Sequence, residues 1–303
     1  MYFLWVILFI LLICFICYYI VFFSPHRGAG DHHALPAGVQ YEKHKERMLG
    51  YIDDFLKLDC EKLEILSYDG KILRGRYYHV NDDAGVDICF HGYRGTGIRD
   101  FCGGSRIAMG MGRNVILVDQ RAHGESKGHS ICFGIKERYD CLSWINYALC
   151  RFGEDVDINI YGVSMGASTV LMASGLELPD NVKHIVADSP YTSAGDIIKK
   201  VCADLKLPVF LVYPFIYLGA LIFAGVKLDS CDCVSAVKKA RIPILLIHGE
   251  DDRFVPCEMS ETIRKANPKL IHRVTFPNAA HGISYIEDKE RYEQLINQFL
   301  KSL

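Results

Sequence analysis

Ser164 lies in the run Gly162, Val163, Ser164, Met165, Gly166, directly after the β-branched and aromatic stretch Ile158 to Tyr161 and directly before the small-residue stretch Ala167 to Ala173. A serine hydroxyl is a poor nucleophile at neutral pH, and it performs acyl transfer only when a base takes its proton and an acid orients that base. The chain offers both. The acidic cluster Glu250, Asp251, Asp252 follows the apolar run Ile244 to Ile247, and His281 follows the run Arg273 to Phe276. Each also has an ordinary reading, the glycines as a plain turn and His281 as a loop histidine bonded to a carbonyl. The coincidence of all three at strand ends points instead to attack by Ser164 on a carbonyl carbon, with His281 as base.

The glycines have a steric rationale. A serine at the tip of a sharp strand-to-helix turn takes a strained backbone conformation, and the chain two residues before and after it must pass close by. The new helix then directs free amides and its positive dipole end at the same point. The oxyanion formed on attack needs such amides, each worth on the order of 3 kcal/mol of barrier. The Met165 amide, directly after the nucleophile, is one candidate.

The acid stretch reads His248, Gly249, Glu250, Asp251, Asp252, Arg253, Phe254, Val255, Pro256, and the histidine stretch reads Ala279, Ala280, His281, Gly282. These resemble the HGxxDxxVP and AxHG loops of the α/β-hydrolase superfamily, over about Leu63 to Leu303, and the pattern looks most like its lysophospholipase and BEM46-like hydrolases. The resemblance implies that Asp252, not Asp251, is the acid, with Asp251 facing solvent or steadying the loop. His91, Gly92, Tyr93, Arg94, Gly95 resembles the HGxxG loop, which implies the Tyr93 amide as the second oxyanion donor, with a bare glycine turn as the alternative. Asp119 to Ser126 resembles the DxRGxGxS loop, with Ala122 in place of its first glycine.

Other reactive side chains have quieter readings. His91 and His248 are expected to be structural, Arg94 carries no role over from the resemblance, and Asp188 is an alternative acid. Cys231 and Cys233 lack nearby partners for a metal site. Cys14 and Cys17 fit lipid attachment or simple packing. The chemistry calls for no cofactor and no metal.

Positioning these groups takes a particular scaffold. Leu63 to Tyr68 and Ile72 to Val80 flank Asp69 and Gly70, a hairpin signal. Short apolar runs follow at Val86 to Phe90, Val115 to Val118, Ile158 to Tyr161, Ile185 to Ala187, Ile244 to Ile247 and Arg273 to Phe276, with the spacing of buried parallel strands. Helical segments alternate with them, for example Ile135 to Leu149 and Lys289 to Leu303, the latter with Tyr292, Leu295, Ile296, Phe299 and Leu303 on one face. The fold class is α/β: an α/β-hydrolase fold with a mostly parallel, doubly wound sheet. Residues 192–241 interrupt the alternation. Their uncharged run Leu207 to Val226 is expected to form a short helical lid whose Val209, Phe210, Leu211, Phe215, Ile216 and Phe223 face an apolar substrate group; a second membrane span is the alternative.

The chain of 303 residues is 50% hydrophobic with net charge −2, so it has no basic field for nucleic acid. Phe3 to Phe23 is uncharged and long enough to cross a bilayer, with Trp5, Tyr18 and Tyr19 as interfacial aromatics. It lacks the charged start and small-x-small site of a cleaved signal peptide, the rival reading. The expected division is an anchor at 1–24, a linker at 25–50 rich in Gly, His and Pro with solvated His32 and His33, and a hydrolase domain at 51–303. Arg27, Lys43, Lys45 and Arg47 after the anchor favour a cytoplasmic body, and the 12 cysteines lack framework spacing, as in a reducing compartment; a disulfide-linked exterior domain is the alternative.

These readings converge on a membrane-anchored serine hydrolase of carboxylic esters, including lipid or lysophospholipid esters. A prolyl-peptidase-type serine peptidase is a second reading, although the large additional propeller domain usual there is absent from this sequence. An inactive membrane-anchored binding protein on the same fold is a third.

Overall fold

The structure is a computed structural model that describes residues 2–25, 30–36 and 38–301. An eight-stranded sheet forms from β1 (Glu61–Leu66), β2 (Ile72–Tyr78), β3 (Val86–Phe90), β4 (Asn114–Asp119), β5 (Ile158–Val163), β6 (Val182–Asp188), β7 (Ile244–Gly249) and β8 (Ile271–Phe276), in the order β1-β2-β4-β3-β5-β6-β7-β8. β2 runs antiparallel to β1 and to β4, and every other pairing is parallel. The expected hairpin and all six apolar runs are therefore strands.

The continuous apolar runs follow from cover on both faces. Ile88 and Ile116 join one core with Leu246, whereas Cys89 and Leu117 point into a second core on the opposite face, and Leu245 and Ile247 into a third. The helices that supply this cover, in chain order after the N-terminal α1 (Tyr2–Val21), are α2 (Val39–Glu42), α3 (Lys45–Leu56), α4 (Gly97–Phe101), α5 (Gly104–Gly110), α6 (Glu137–Phe152) and α7 (Met165–Ala173). They continue with α8 (Ala194–Asp204), α9 (Val209–Gly219), which runs on as a π-helical turn Ala220–Ala224, then α10 (Cys233–Val237), α11 (Glu258–Ala266), α12 (Ser284–Glu287) and α13 (Lys289–Lys301). Leu303 lies outside the described residues.

Two expectations need correction. The stretch taken as a linker becomes helical from Val39: α2 and the start of α3 bury Tyr41, His44 and Met48 against the body, and Ile52 and Phe55 follow on the same α3. His32 and His33 are bonded rather than merely solvated, Nδ1 of His32 to the Thr96 hydroxyl at 2.9 Å and Nε2 of His33 to Asp53 at 2.7 Å. The insertion is helical as expected, but it is no second span, because β6 before it and β7 after it lie side by side in one sheet. α9 packs against α1 and α8 instead.

Candidate active site

The turn from β5 into α7 puts Ser164 at φ 55°, ψ −115°, a strained backbone for a residue with a β-carbon. The flanking glycines permit it. A β-carbon on Gly166 would lie 1.7 Å from the Phe90 carbonyl oxygen, and one on Gly162 would lie 2.2 Å from that of Gly166. The Ser164 amide is bonded to the Asp188 carbonyl at 2.8 Å, which pins the tip of the turn to the neighbouring strand.

His281 reaches both partners. Its Nε2 lies 2.8 Å from the Ser164 hydroxyl, and its Nδ1 lies 2.7 Å from Oδ2 of Asp252. Asp252 is buried whereas Asp251 is exposed, so the two adjacent carboxylates separate as expected. The Phe254 and Val255 amides donate to Oδ1 of Asp252 at 2.9 and 2.8 Å. Burial opposes its ionisation, but the charge of His281 and hydrogen bonds from His248 and His281 outweigh this and hold the carboxyl well below the usual range. His248, donating to the Val255 carbonyl at 2.9 Å, steadies this loop.

Asp188, the alternative acid, is not bonded to His281. Its oxygens accept from the Ser189 hydroxyl at 2.9 Å and from Tyr292 at 3.3 Å, and burial pushes its carboxyl up to about 6.

The loop after β3 is bonded on both sides of Tyr93. Gly92 donates its amide to Oδ2 of Asp100 at 2.7 Å, and Arg94, at φ 51°, donates its amide to Nε2 of His123 at 3.0 Å. Among the described residues the Tyr93 amide between them makes no hydrogen bond. The Met165 amide opens α7 and has no carbonyl a turn earlier in the helix to donate to. The Tyr93 and Met165 amides are therefore left free beside Ser164.

The supporting histidines are neutral. Burial lowers His91, which donates from Nδ1 to the Gly92 carbonyl at 2.8 Å and accepts the Gln120 amide at 3.1 Å. Burial, reinforced by His91, lowers His123 to about 3, so its Nε2 stays an acceptor while Nδ1 donates to the Arg121 carbonyl at 2.9 Å. Ala122 sits at φ 61°, a conformation natural to the glycine it replaces. Cys231 and Cys233 donate to backbone carbonyls at 3.8 and 3.6 Å and belong to the core.

A cavity of about 380 Å³ opens beside Ser164, His281 and Tyr93. Its apolar wall comes from α3 (Met48, Tyr51), α5 (Ile107, Ala108) and α12 (Tyr285, Ile286). None of Val209, Phe210, Leu211, Phe215, Ile216 and Phe223 lines it, which corrects the expectation that the insertion walls the substrate. Tyr41, which the sequence reading missed, lines the cavity and donates its hydroxyl to the His281 carbonyl at 3.0 Å. Burial, then the charges of Asp252 and Asp100, push its phenol up to about 12, so it remains a donor. The spacing of Met48, Ile52 and Phe55 on one face of α3, just after Tyr41, was the available signal.

The strand order and the mostly parallel sheet are those of the α/β-hydrolase fold. Residues 88–209 match the family model of the alpha/beta hydrolase fold, which is the fold of this structure. It is 23% identical over 254 residues to the uncharacterized protein YqkD of Bacillus subtilis, covering 83% of this chain and 82% of that one. It is also 25% identical over 160 residues to lysophosphatidylserine lipase ABHD12 of Xenopus tropicalis; that match covers 52% of this chain but 40% of the lipase's own length. Among solved structures, the Pyrococcus furiosus esterase Pf2001 superposes with a TM-score of 0.67 at 23% identity, covering 82% of this chain and 93% of the esterase.

Proposed function

We propose that this protein is a membrane-anchored serine hydrolase that cleaves carboxylic esters through an acyl-enzyme. The observation that carries the reading is His281 within hydrogen-bond reach of both Ser164 and Asp252, at 2.8 and 2.7 Å. His281 removes the Ser164 proton as the oxygen attacks the ester carbonyl, and Asp252 holds the imidazole with Nδ1 protonated and stabilises the imidazolium. The Tyr93 and Met165 amides receive the oxyanion. Collapse expels the alcohol, protonated by His281, and a water deprotonated by the same histidine then releases the acid. No step calls for a cofactor.

An apolar acyl group, and lipid-derived esters including lysophospholipids, fit the cavity wall, and the similarity to a lysophosphatidylserine lipase supports that class. The proposed division is an anchor at residues 1–24 and a hydrolase body that takes in α2 and α3 and runs to 303, with a connection between them. α1 is 20 residues long and apolar throughout, and the burial of Cys14 and Phe22 supports a retained anchor over a cleaved signal. Lys43, Lys45 and Arg47 favour a cytoplasmic body; Arg27, which contributed to that argument, lies outside the described residues.

A fluorophosphonate probe tests the chemistry. Wild type labels and Ser164→Ala does not; equal labelling of the two overturns Ser164 as the nucleophile, and no labelling of wild type overturns the reading and leaves a silent binding protein. A panel of p-nitrophenyl esters set against aminoacyl amides separates an esterase from a peptidase.

A further inference from the structure

The C-terminal half of α1 is packed against the insertion. Cys14 and Phe22 are fully buried and Tyr18 nearly so. A β-carbon on Gly219 of α9 would lie 2.5 Å from the Cys14 carbonyl oxygen, so the two backbones approach as closely as a glycine allows. The Phe223 ring meets Phe15 edge-on at 5.3 Å between centroids and lies 5.6 Å from the Tyr18 ring. Away from these contacts the segment exposes Phe210, Leu211, Leu218, Leu221 and Ile222, and Phe210 is 85% exposed. Residues 207–226 contain no charged side chain, and Lys206 and Lys227 bracket them. The exposed face continues onto α1 at Phe15, Ile16, Tyr19 and Ile20.

We propose that α9 and its π-helical extension lie within the near leaflet of the membrane, so that lipid acyl chains cover this face and the hydrolase body is seated on the bilayer. The inference rests on α1 being a membrane span, as proposed above. The geometry then leaves little choice. The 20 residues of α1 rise roughly 30 Å, about the thickness of the hydrocarbon core, so the helix has no slack with which to lift its C-terminal half out. Cys14 stands seven residues before the end of α1 at Val21, roughly 10 Å below the near edge of the hydrocarbon. A helix in backbone contact at that point shares its depth, which is the range reached by interfacial helices, about 5–10 Å. α9 and its extension, Val209 to Ala224, are roughly 24 Å long, too short to cross and suited to lying within one leaflet. The lysines at either end have the long stems needed to reach the headgroups.

The test uses the full chain in nanodiscs of phosphatidylcholine, with or without bromine in the acyl chains. In a Trp5→Phe background, Ile222→Trp reports on the insertion and Ile16→Trp on the span, while the buried Trp144 supplies a constant background. Quenching of Ile222→Trp within about twofold of Ile16→Trp is expected. An unquenched Ile222→Trp beside a quenched Ile16→Trp overturns the proposal, since something other than lipid then covers the face, while the anchor stands. If neither is quenched, the proposal and the anchor reading fall together. Leu218→Trp on the same exposed face gives a second reporter, and an unchanged thermal midpoint verifies that each variant is folded.

Discussion

The Arg94 guanidinium donates to the Ile20 carbonyl at 2.9 Å and to that of Phe23 at 3.3 Å, while the Tyr93 hydroxyl donates to the Val21 carbonyl at 2.8 Å. The last carbonyls of a helix have no partner within it, and a cation there contributes about 0.3–1 kcal/mol. These donors come from the loop that carries the free Tyr93 amide. The end of the membrane-length helix and one wall of the cavity beside Ser164 are thus bonded to each other.

Arg94→Met is expected to lower kcat about tenfold with KM changed less than about twofold. Complete loss of an oxyanion donor costs on the order of 10²–10³, but the Tyr93 hydroxyl still holds the loop in this variant, so the amide is loosened rather than removed. Steady-state kinetics on a soluble ester checks the split. A raised KM at unchanged kcat would place Arg94 in substrate binding instead.

Asp252→Asn and Asp188→Asn separate the two candidate acids. Only Asp252 is bonded to His281, so Asp252→Asn is expected to lower kcat by roughly 10⁴, the scale seen when a triad acid loses its charge. Asp188→Asn is expected to stay within about fivefold of wild type. The reverse order in single-turnover acylation would reassign the acid.

Asp188 also predicts a pH dependence of stability. Burial raises its carboxyl from 3.8 to about 6, so the folded protein binds this proton more tightly than the unfolded chain does. Its contribution to stability is complete below about pH 4, falls as pH rises towards 6, and above that amounts to a penalty of up to about 3 kcal/mol, at 1.36 kcal/mol per unit. Asp188→Asn removes that penalty. The difference in urea midpoint, variant minus wild type, should therefore grow between pH 4 and 6; a difference independent of pH would refute the assignment.

Gly166→Ala is expected to cost at least about 3 kcal/mol, because its β-carbon would meet the Phe90 carbonyl oxygen at 1.7 Å and only backbone movement relieves the clash. Thermal unfolding measures it. A midpoint within a few degrees of wild type would mean that the turn yields more readily than its packing implies.

What could be read from the chain follows the range of each signal. Gly162, Ser164 and Gly166 solve a local steric problem within five residues, and Asp252 and His281 sit at the ends of apolar runs that must be strands. Tyr41 and Met48 were hidden because the chain around them is rich in Gly, His and Pro, and what covers Tyr41 is the loop of Ala280 and His281, 240 residues further on. Phe210 and Phe223 illustrate a different limit. An apolar side chain requires apolar surroundings but does not say whether these are substrate, another helix or lipid. The structure puts Phe223 against Phe15 and leaves Phe210 uncovered.

The cavity wall gives the last prediction. Ala108 on α5 is nearly buried and faces the 380 Å³ space beside Ser164, whereas Phe210 on α9 does not border it. Ala108→Phe fills part of that space, and each methylene excluded from apolar cover costs about 0.8 kcal/mol, close to fourfold in kcat/KM. Against p-nitrophenyl esters in detergent, Ala108→Phe should lower the decanoyl-to-acetyl ratio at least tenfold, while Phe210→Ala leaves it within about twofold. Tyr285→Ala, which widens the same wall, should shift the optimum to longer chains. If the ratio instead responds to Phe210→Ala and not to Ala108→Phe, the insertion rather than α5 selects the acyl group.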